Sequence, residues 1–399
     1  MKRFLGTALV ACIVAAGATA FDDSQRQPKA TAQDDSGAAR QRDDGGVPFL
    51  LKAGGEKPRV VSRQSVEYLQ RLRKNTPFGE NGFDLAALRA GMGSRREPTI
   101  QGVKLIRVKI GEIPGEWVLA PGAAPGVRLL YLHGGGFVSG SGGFYLPLAA
   151  HLSAAAKCAV LLPDYRLAPE HRFPAAIEDC VRAHEWVIAN GPSGPAPCRA
   201  TFIAGDSAGG SLTLATLLAL RDRRLPLPAG AIAISPTTDL TLASESLRTV
   251  NDPIISARTM PVFRELYLGK MDPRNPLASP VLGDYRGIPP LLIQAGEHEM
   301  LRDDSIRVAK KARSDGVRVT LEIWPGMFHV FQSHEPLLPE AREAIDHAAD
   351  FMRSLLPRPA TLGKGGAPRA PRLLNDLAAT TRFVVLPRFA NAEIMAGSR

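Results

Sequence analysis

Residues 205–209 read Gly-Asp-Ser-Ala-Gly, a G-x-S-x-G pattern centred on Ser207. The pattern directly follows the apolar run "ATFIA" and directly precedes an Ala/Leu-rich stretch. A strand, a sharp turn and a helix in that order lift a serine hydroxyl above a sheet edge. Taken alone the pattern is also an ordinary small-residue turn. A second stretch supplies what serine chemistry needs next. "HGGGF", His133 to Phe137, ends the apolar run "VRLLYL" with three consecutive glycines. Glycines cost backbone entropy and pack no side chain. They make sense where bare N–H groups must face a cavity. Acyl transfer through a serine creates a tetrahedral oxyanion, and losing one preorganised donor to it costs about 3–4 kcal/mol. Gly135, Gly136 and Ala208, the residue after Ser207, are the expected donors. His133 is expected to brace the loop through hydrogen bonds.

A serine nucleophile needs a base, and the base needs an acid, in the chain order Ser, acid, His. His329 stands a few residues beyond the late strand candidate 318–324, within the apolar collar Met327, Phe328 and Phe331. His334, near Pro336, reads as a surface residue, and His347 reads as the outward face of a helix. The acid should follow the preceding strand, "PLLIQAG". There Glu297, Glu299, Asp303 and Asp304 all qualify chemically. A strand-end loop favours the two glutamates, because the aspartates fit the cap and first turn of the next helix.

These groups need a scaffold. Strand candidates lie at 127–133, 158–165, 200–206, 230–235, 290–296 and 318–324, each short, apolar and rich in β-branched residues or leucine. Runs of that kind suit strands covered on both faces. Helical stretches such as "LPLAAHLSAAAK" and "FPAAIEDCVRAHEWVIAN" separate them. The alternation predicts an α/β fold with a mostly parallel sheet and helices on both sides. Before it come helical patterns between 60 and 91 and a strand-like pair, "GVKLIRVKI" and "GEWVLAP". The last helix is expected at about 337–355, where Pro357 and Pro359 follow.

The ends differ from the body. "MKRFLGTALVACIVAAGATA" has a basic start, an apolar centre and an Ala-x-Ala end, the layout of a signal peptide over residues 1–20. That implies export to the periplasm or medium. "LVAC" offers a competing lipidation site at Cys12, and only that, or an uncleaved anchor, would imply membrane association. Residues 21–58 lack apolar periodicity and read as a disordered linker. Residues 59–96 read as a helical cap segment, 97–356 as the catalytic domain, and 357–399 as a basic tail. The net charge of +10 is concentrated at the ends: 1–20 carry +2 and 357–399 carry +5, leaving about +3 for 61–356. A nucleic-acid partner is therefore not expected. Removal of residues 1–20 would leave Cys158, Cys180 and Cys198, an odd number, as one bridge and a thiol or as three thiols.

"HGGGF", "DYRLAPEHRFPAAIEDC", "GDSAGGSL", "LRDDS" and "FHVF" together resemble the bacterial hormone-sensitive-lipase-like esterases of the α/β-hydrolase fold. The resemblance covers roughly residues 60–356. It implies a cofactor-free carboxylic ester hydrolase with an N-terminal helical cap, acting as a monomer or homodimer on a small-molecule ester. It assigns Ser207 as nucleophile, His329 as base, and Gly135, Gly136 and Ala208 as oxyanion donors. The family acid opens an Asp-Pro-Leu-x-Asp sequence. Here Glu299 stands first, followed by Met300, Leu301, Arg302 and Asp303, so Glu299 is the implied acid. Asp164, Arg166 and Glu170 are implied to form a buried polar network. "SPTTDLTLASES" and "NDPIIS" resemble the subgroup of acetyl-hydrolases and monoterpene lactone hydrolases, which favours small acyl groups or lactones. Deacetylation and lipolysis use the same machinery. Receptors of this fold, by contrast, lack the histidine.

Overall fold

The computed structural model describes residues 61–356. The expected signal peptide, Cys12, the linker and the basic tail lie outside the described residues. Eight strands form one sheet: β1 (Lys104–Ile110), β2 (Ile113–Leu119), β3 (Ala124–Leu132), β4 (Cys158–Pro163), β5 (Ala200–Asp206), β6 (Gly230–Ile234), β7 (Leu291–Gly296) and β8 (Val319–Trp324). Their spatial order is β1-β2-β4-β3-β5-β6-β7-β8. β1 and β2 form an antiparallel hairpin, β2 meets β4 antiparallel, and all other pairs are parallel. Strands β4, β5, β6 and β7 are buried at every position, which is why they read as continuous apolar runs.

Helices cover both faces. α4 (Ala175–Ala189), α5 (Ala208–Asp222) and α7 (Arg302–Ser314) bury one core with Trp117, Leu130 and Ile203. α3 (Leu146–Ala156) and α8 (Pro339–Ser354) bury another with Leu129, Val160 and Phe202. Each alternating strand thus sends successive side chains to opposite cores. α5 runs through the interior, with Ala208 to Leu220 all buried, so it is small and apolar around its whole circumference. The chain leaves β3 toward β4 on one side, whereas β5 starts the march to the other. Ligands in open α/β sheets bind beyond the strand carboxyl ends at such a switch point. The glycine run after β3 and the serine after β5 both sit there.

A cap of polypeptide lies over this point. α1 (Arg63–Leu72) and α2 (Leu85–Met92) come from the N-terminal segment. A further helix, α6 (Thr259–Leu268), was not anticipated from its sequence. Polar ties hold the cap down. Glu340 on α8 accepts from the Ser62 N–H at 2.6 Å, the Ser62 hydroxyl at 3.0 Å and the Ser65 hydroxyl at 2.5 Å. Arg89 on α2 donates to Val138 O at 2.8 Å and Ala168 O at 2.9 Å, and pairs with Glu170 at 2.6 Å.

The expected polar network of Asp164, Arg166 and Glu170 does not form. All three residues are exposed and each serves a different partner. Asp164 accepts from Gly142 N at 2.6 Å, Arg166 pairs with buried Asp179 at 2.7 Å, and Glu170 takes Arg89. Cys158, Cys180 and Cys198 are all unpaired. Burial pushes the Cys158 thiol up to about 12, so it is an inert core group.

Ser65 is fully buried, and Glu340 is the acceptor of its hydroxyl among the described residues. Glu340→Ala is expected to lower the unfolding free energy by roughly 1–3 kcal/mol, read as a lower urea midpoint at unchanged slope. An unchanged midpoint would mean that apolar contacts alone hold α1.

Candidate active site

Ser207 sits between β5 and α5 with φ 52° and ψ −119°. A non-glycine residue with positive φ is strained unless its surroundings hold it there. Here they do. Ser207 N donates to Ile234 O at 2.8 Å, and Thr237 N donates to Ser207 O at 3.1 Å. The flanking glycine is equally constrained. A Cβ on Gly209 would stand 2.0 Å from Leu132 O, so the start of α5 rides directly on the end of β3.

The glycine run curls over the serine. Gly135 and Gly136 have φ of 117° and 64°, and a Cβ on Gly136 would lie 2.4 Å from the Phe263 ring. Among the described residues, no hydrogen bond uses the N–H of Gly135 or Gly136, and both residues line the cavity above Ser207. Ala208 opens helix α5, where N–H groups have no intrahelical acceptor. His133 braces the loop as expected. Its ring stacks on Tyr165 at 4.2 Å, and Nδ1 contacts Gly134 O at 2.8 Å.

Asp206 is a brace that its place as the variable residue of G-x-S-x-G did not reveal. It accepts from Tyr131 Oη and Tyr145 Oη, both at 2.8 Å, and from Gly134 N at 3.1 Å. Burial pushes its carboxyl up to about 6, against the pull of the two tyrosine hydroxyls.

His329 arrives from the loop after β8. Its Nε2 lies 3.1 Å from Ser207 Oγ. Its Nδ1 faces Glu299 Oε2 at 3.8 Å, an ion-pair separation longer than a hydrogen bond. Glu299 stands in the turn after β7 and is fully buried. Its Oε2 accepts from Ser235 Oγ at 2.7 Å and from Gly296 N at 3.1 Å. Ser235 Oγ also accepts from Val330 N at 3.1 Å, so one hydroxyl joins the loops of the acid and the histidine. Burial lowers the affinity of His329 for a proton, but Glu299, Asp252 and Asp206 together outweigh it and raise its pKa.

The other candidates lie elsewhere. Glu297 is half-exposed and accepts from Gly326 N at 2.9 Å. Asp303 accepts from Ser246 N at 2.8 Å, and buried Asp304 accepts from Thr238 N at 2.7 Å and Asp239 N at 2.9 Å. Both belong to the first turn of α7, where they hold neighbouring loops. His334 is not a surface residue: it packs edge-on to Phe328 at 5.1 Å and Tyr68 at 5.3 Å, and burial lowers its pKa to about 4. His347 does not face outward either, but contacts Glu322 at 2.8 Å.

The cavity above Ser207 and His329 measures about 390 Å³. Phe78, Leu88, Ile254, Ile255, Met260 and Phe263 give it an apolar wall, drawn from the cap and the segment around α6.

A family profile described as the alpha/beta hydrolase fold matches residues 129–333. An acetyl-hydrolase of Streptomyces hygroscopicus is 45% identical over 62% of this chain and 82% of its own length. A solved esterase/lipase from an uncultured bacterium is 40% identical, with TM-score 0.69, over 74% of this chain and 99% of that one. An esterase of the bacterial hormone-sensitive lipase family is 37% identical, with TM-score 0.66, over 74% and 99%. The chain belongs to the bacterial hormone-sensitive-lipase-like esterases of the α/β-hydrolase fold. The resemblance carried by its short motifs therefore extends through the whole architecture of the esterase family.

The charge around His329 has a measurable consequence. An NMR titration of its imidazole is expected to give a pKa above the ordinary value of about 6.5. Glu299→Gln removes one negative charge, so the imidazolium loses stabilisation and the pKa falls. A value unchanged in that variant would show that the 3.8 Å pair carries no charge coupling.

Proposed function

We propose that the protein hydrolyses carboxylic esters of short to medium acyl chain through Ser207, His329 and Glu299. The observation that carries this reading is the 3.1 Å approach of His329 Nε2 to Ser207 Oγ at the floor of an apolar cavity. Ser207 Oγ attacks the ester carbonyl while His329 Nε2 takes its proton. The carbonyl oxygen becomes an oxyanion and receives the N–H groups of Gly135, Gly136 and Ala208. Collapse of the tetrahedral species breaks the bond to the alcohol oxygen, which takes the proton back from His329. Water then attacks the acyl-enzyme by the same route, releasing the acid and restoring Ser207. Glu299 orients the imidazole and stabilises its charged form. The 3.8 Å gap between them shortens as positive charge develops on the ring, since catalytic hydrogen bonds tighten in the substrate complex.

The cavity size supports a small acyl group, because about 390 Å³ is near the lower end of ligand-pocket volumes. The acetyl-hydrolase similarity points the same way, as does the 33% identity to an ethyl acetate hydrolase of Pseudomonas putida. Export by residues 1–20 belongs to the same proposal, since it would place the enzyme among external esters.

Hydrolysis of p-nitrophenyl esters from acetate to palmitate tests the reading. Rates are expected to peak at butyrate or shorter, and Ser207→Ala to lower kcat by about 10⁴-fold or more. Near-wild-type activity in purified Ser207→Ala would overturn it.

A further inference from the structure

Asp252 stands in the stretch "NDPIIS" quoted above, where no role was assigned to it, and it is buried, with 4% exposure. Its Oδ1 accepts from Ile254 N at 2.8 Å and Ile255 N at 3.2 Å, which folds the chain into a tight turn. Its Oδ2 accepts from Met300 N at 3.1 Å, the residue directly after Glu299. Ile254 and Ile255 line the cavity above Ser207. The same turn carries the cap, because Phe78 N donates to Ile254 O at 2.9 Å and Ser256 N donates to Phe78 O at 2.9 Å. One carboxylate therefore joins the substrate wall, the cap and the acid loop.

We propose that Asp252 is a positioning residue for the hydrolytic reaction, which fixes the loop of Glu299 against the pocket wall and adds a further negative charge near His329. This inference rests on the reading of Ser207, His329 and Glu299 given above. A turn residue on the surface would need only Oδ1. The second oxygen is spent on a backbone N–H of the acid loop, in a place where water does not reach. Burial raises the pKa of this carboxyl and Glu299 adds to the rise, while His329 and the N–H donors of Ile254 and Met300 oppose it. Among the described residues, the charged groups facing His329 are Glu299 after β7, Asp206 at the end of β5, and Asp252. Glu299 orients Nδ1, and Asp206 is occupied with the glycine loop. Asp252 adds charge without competing for the ring nitrogen.

Asp252→Asn keeps an oxygen for the turn and removes the charge. We expect kcat on p-nitrophenyl acetate to fall roughly 10- to 100-fold, as a small displacement of the acid and base produces, with KM changed less than about threefold. The acidic limb of kcat/KM is expected to move to lower pH, because His329 loses one of the anions that favour its proton. A merely structural residue would lower the folded fraction without moving that limb. If Asp252→Asn does not accumulate as folded protein, Asp252→Ser retains a hydroxyl acceptor for the turn and is measured in the same way. Wild-type kcat together with an unmoved limb in a folded variant would overturn the inference. Ser207→Ala is assayed alongside. Activity surviving there overturns the hydrolase reading, whereas its loss beside an unaltered Asp252→Asn overturns the role of Asp252 alone.

Discussion

The contact between the start of α5 and the end of β3 governs the site. Gly209 approaches Leu132 so closely that no Cβ fits between them. That approach sets the serine turn and the glycine run side by side, at the point where the sheet reverses its order of construction. Gly135 and Gly136 adopt positive φ freely, but Ser207 holds a positive φ under strain. Such backbone persists only where its surroundings over-determine it. Parallel strands on each side, buried at every position, provide that support.

A buried imidazole surrounded by buried carboxylates is the second constraint. Each acid near His329 accepts hydrogen bonds, several of them from distant parts of the chain. Glu299 has Ser235 and Gly296, Asp206 has two tyrosines and Gly134, and Asp252 has three N–H groups. Isolated buried charges would cost many kcal/mol. Already hydrogen-bonded, they instead surround the ring with negative charge, which favours positive charge on it.

The parallel sheet was legible because its central strands are apolar on both faces and alternate with helices. Ser207, the glycine run and His329 were legible because each sits at a strand end with a context of its own. The carboxylate facing His329 was only half legible. Composition and position left Glu297 beside Glu299, and the family resemblance separated them. Three dimensions show why: Glu297 turns outward to Gly326, while Glu299 turns inward to Ser235. Asp206, Ser235 and Asp252 were missed because their roles depend on partners tens of residues away. Helix α6 was not assigned from the sequence, although Met260, Phe263 and Tyr267 repeat at helical spacing. His334 was misplaced because a nearby proline suggested exposure, whereas α1 covers that ring with Tyr68.

The division of labour in the cap follows from the same contacts. Its attachments include Glu340 under α1, Arg89 under α2 and the Phe78 bridge to Ile255, beside the burial of Leu69 and Leu72 with Trp324 and Phe328. Its inward surface is apolar, with Phe78 and Leu88 facing the cavity. Phe263 shows how the two layers meet. It packs edge-on to Phe83 at 5.3 Å in the cap and covers Gly136 in the glycine run. A side chain larger than glycine at position 136 would collide with that ring. The run of glycines thus answers two demands at once, backbone free to face the cavity and room for the aromatic wall that closes it.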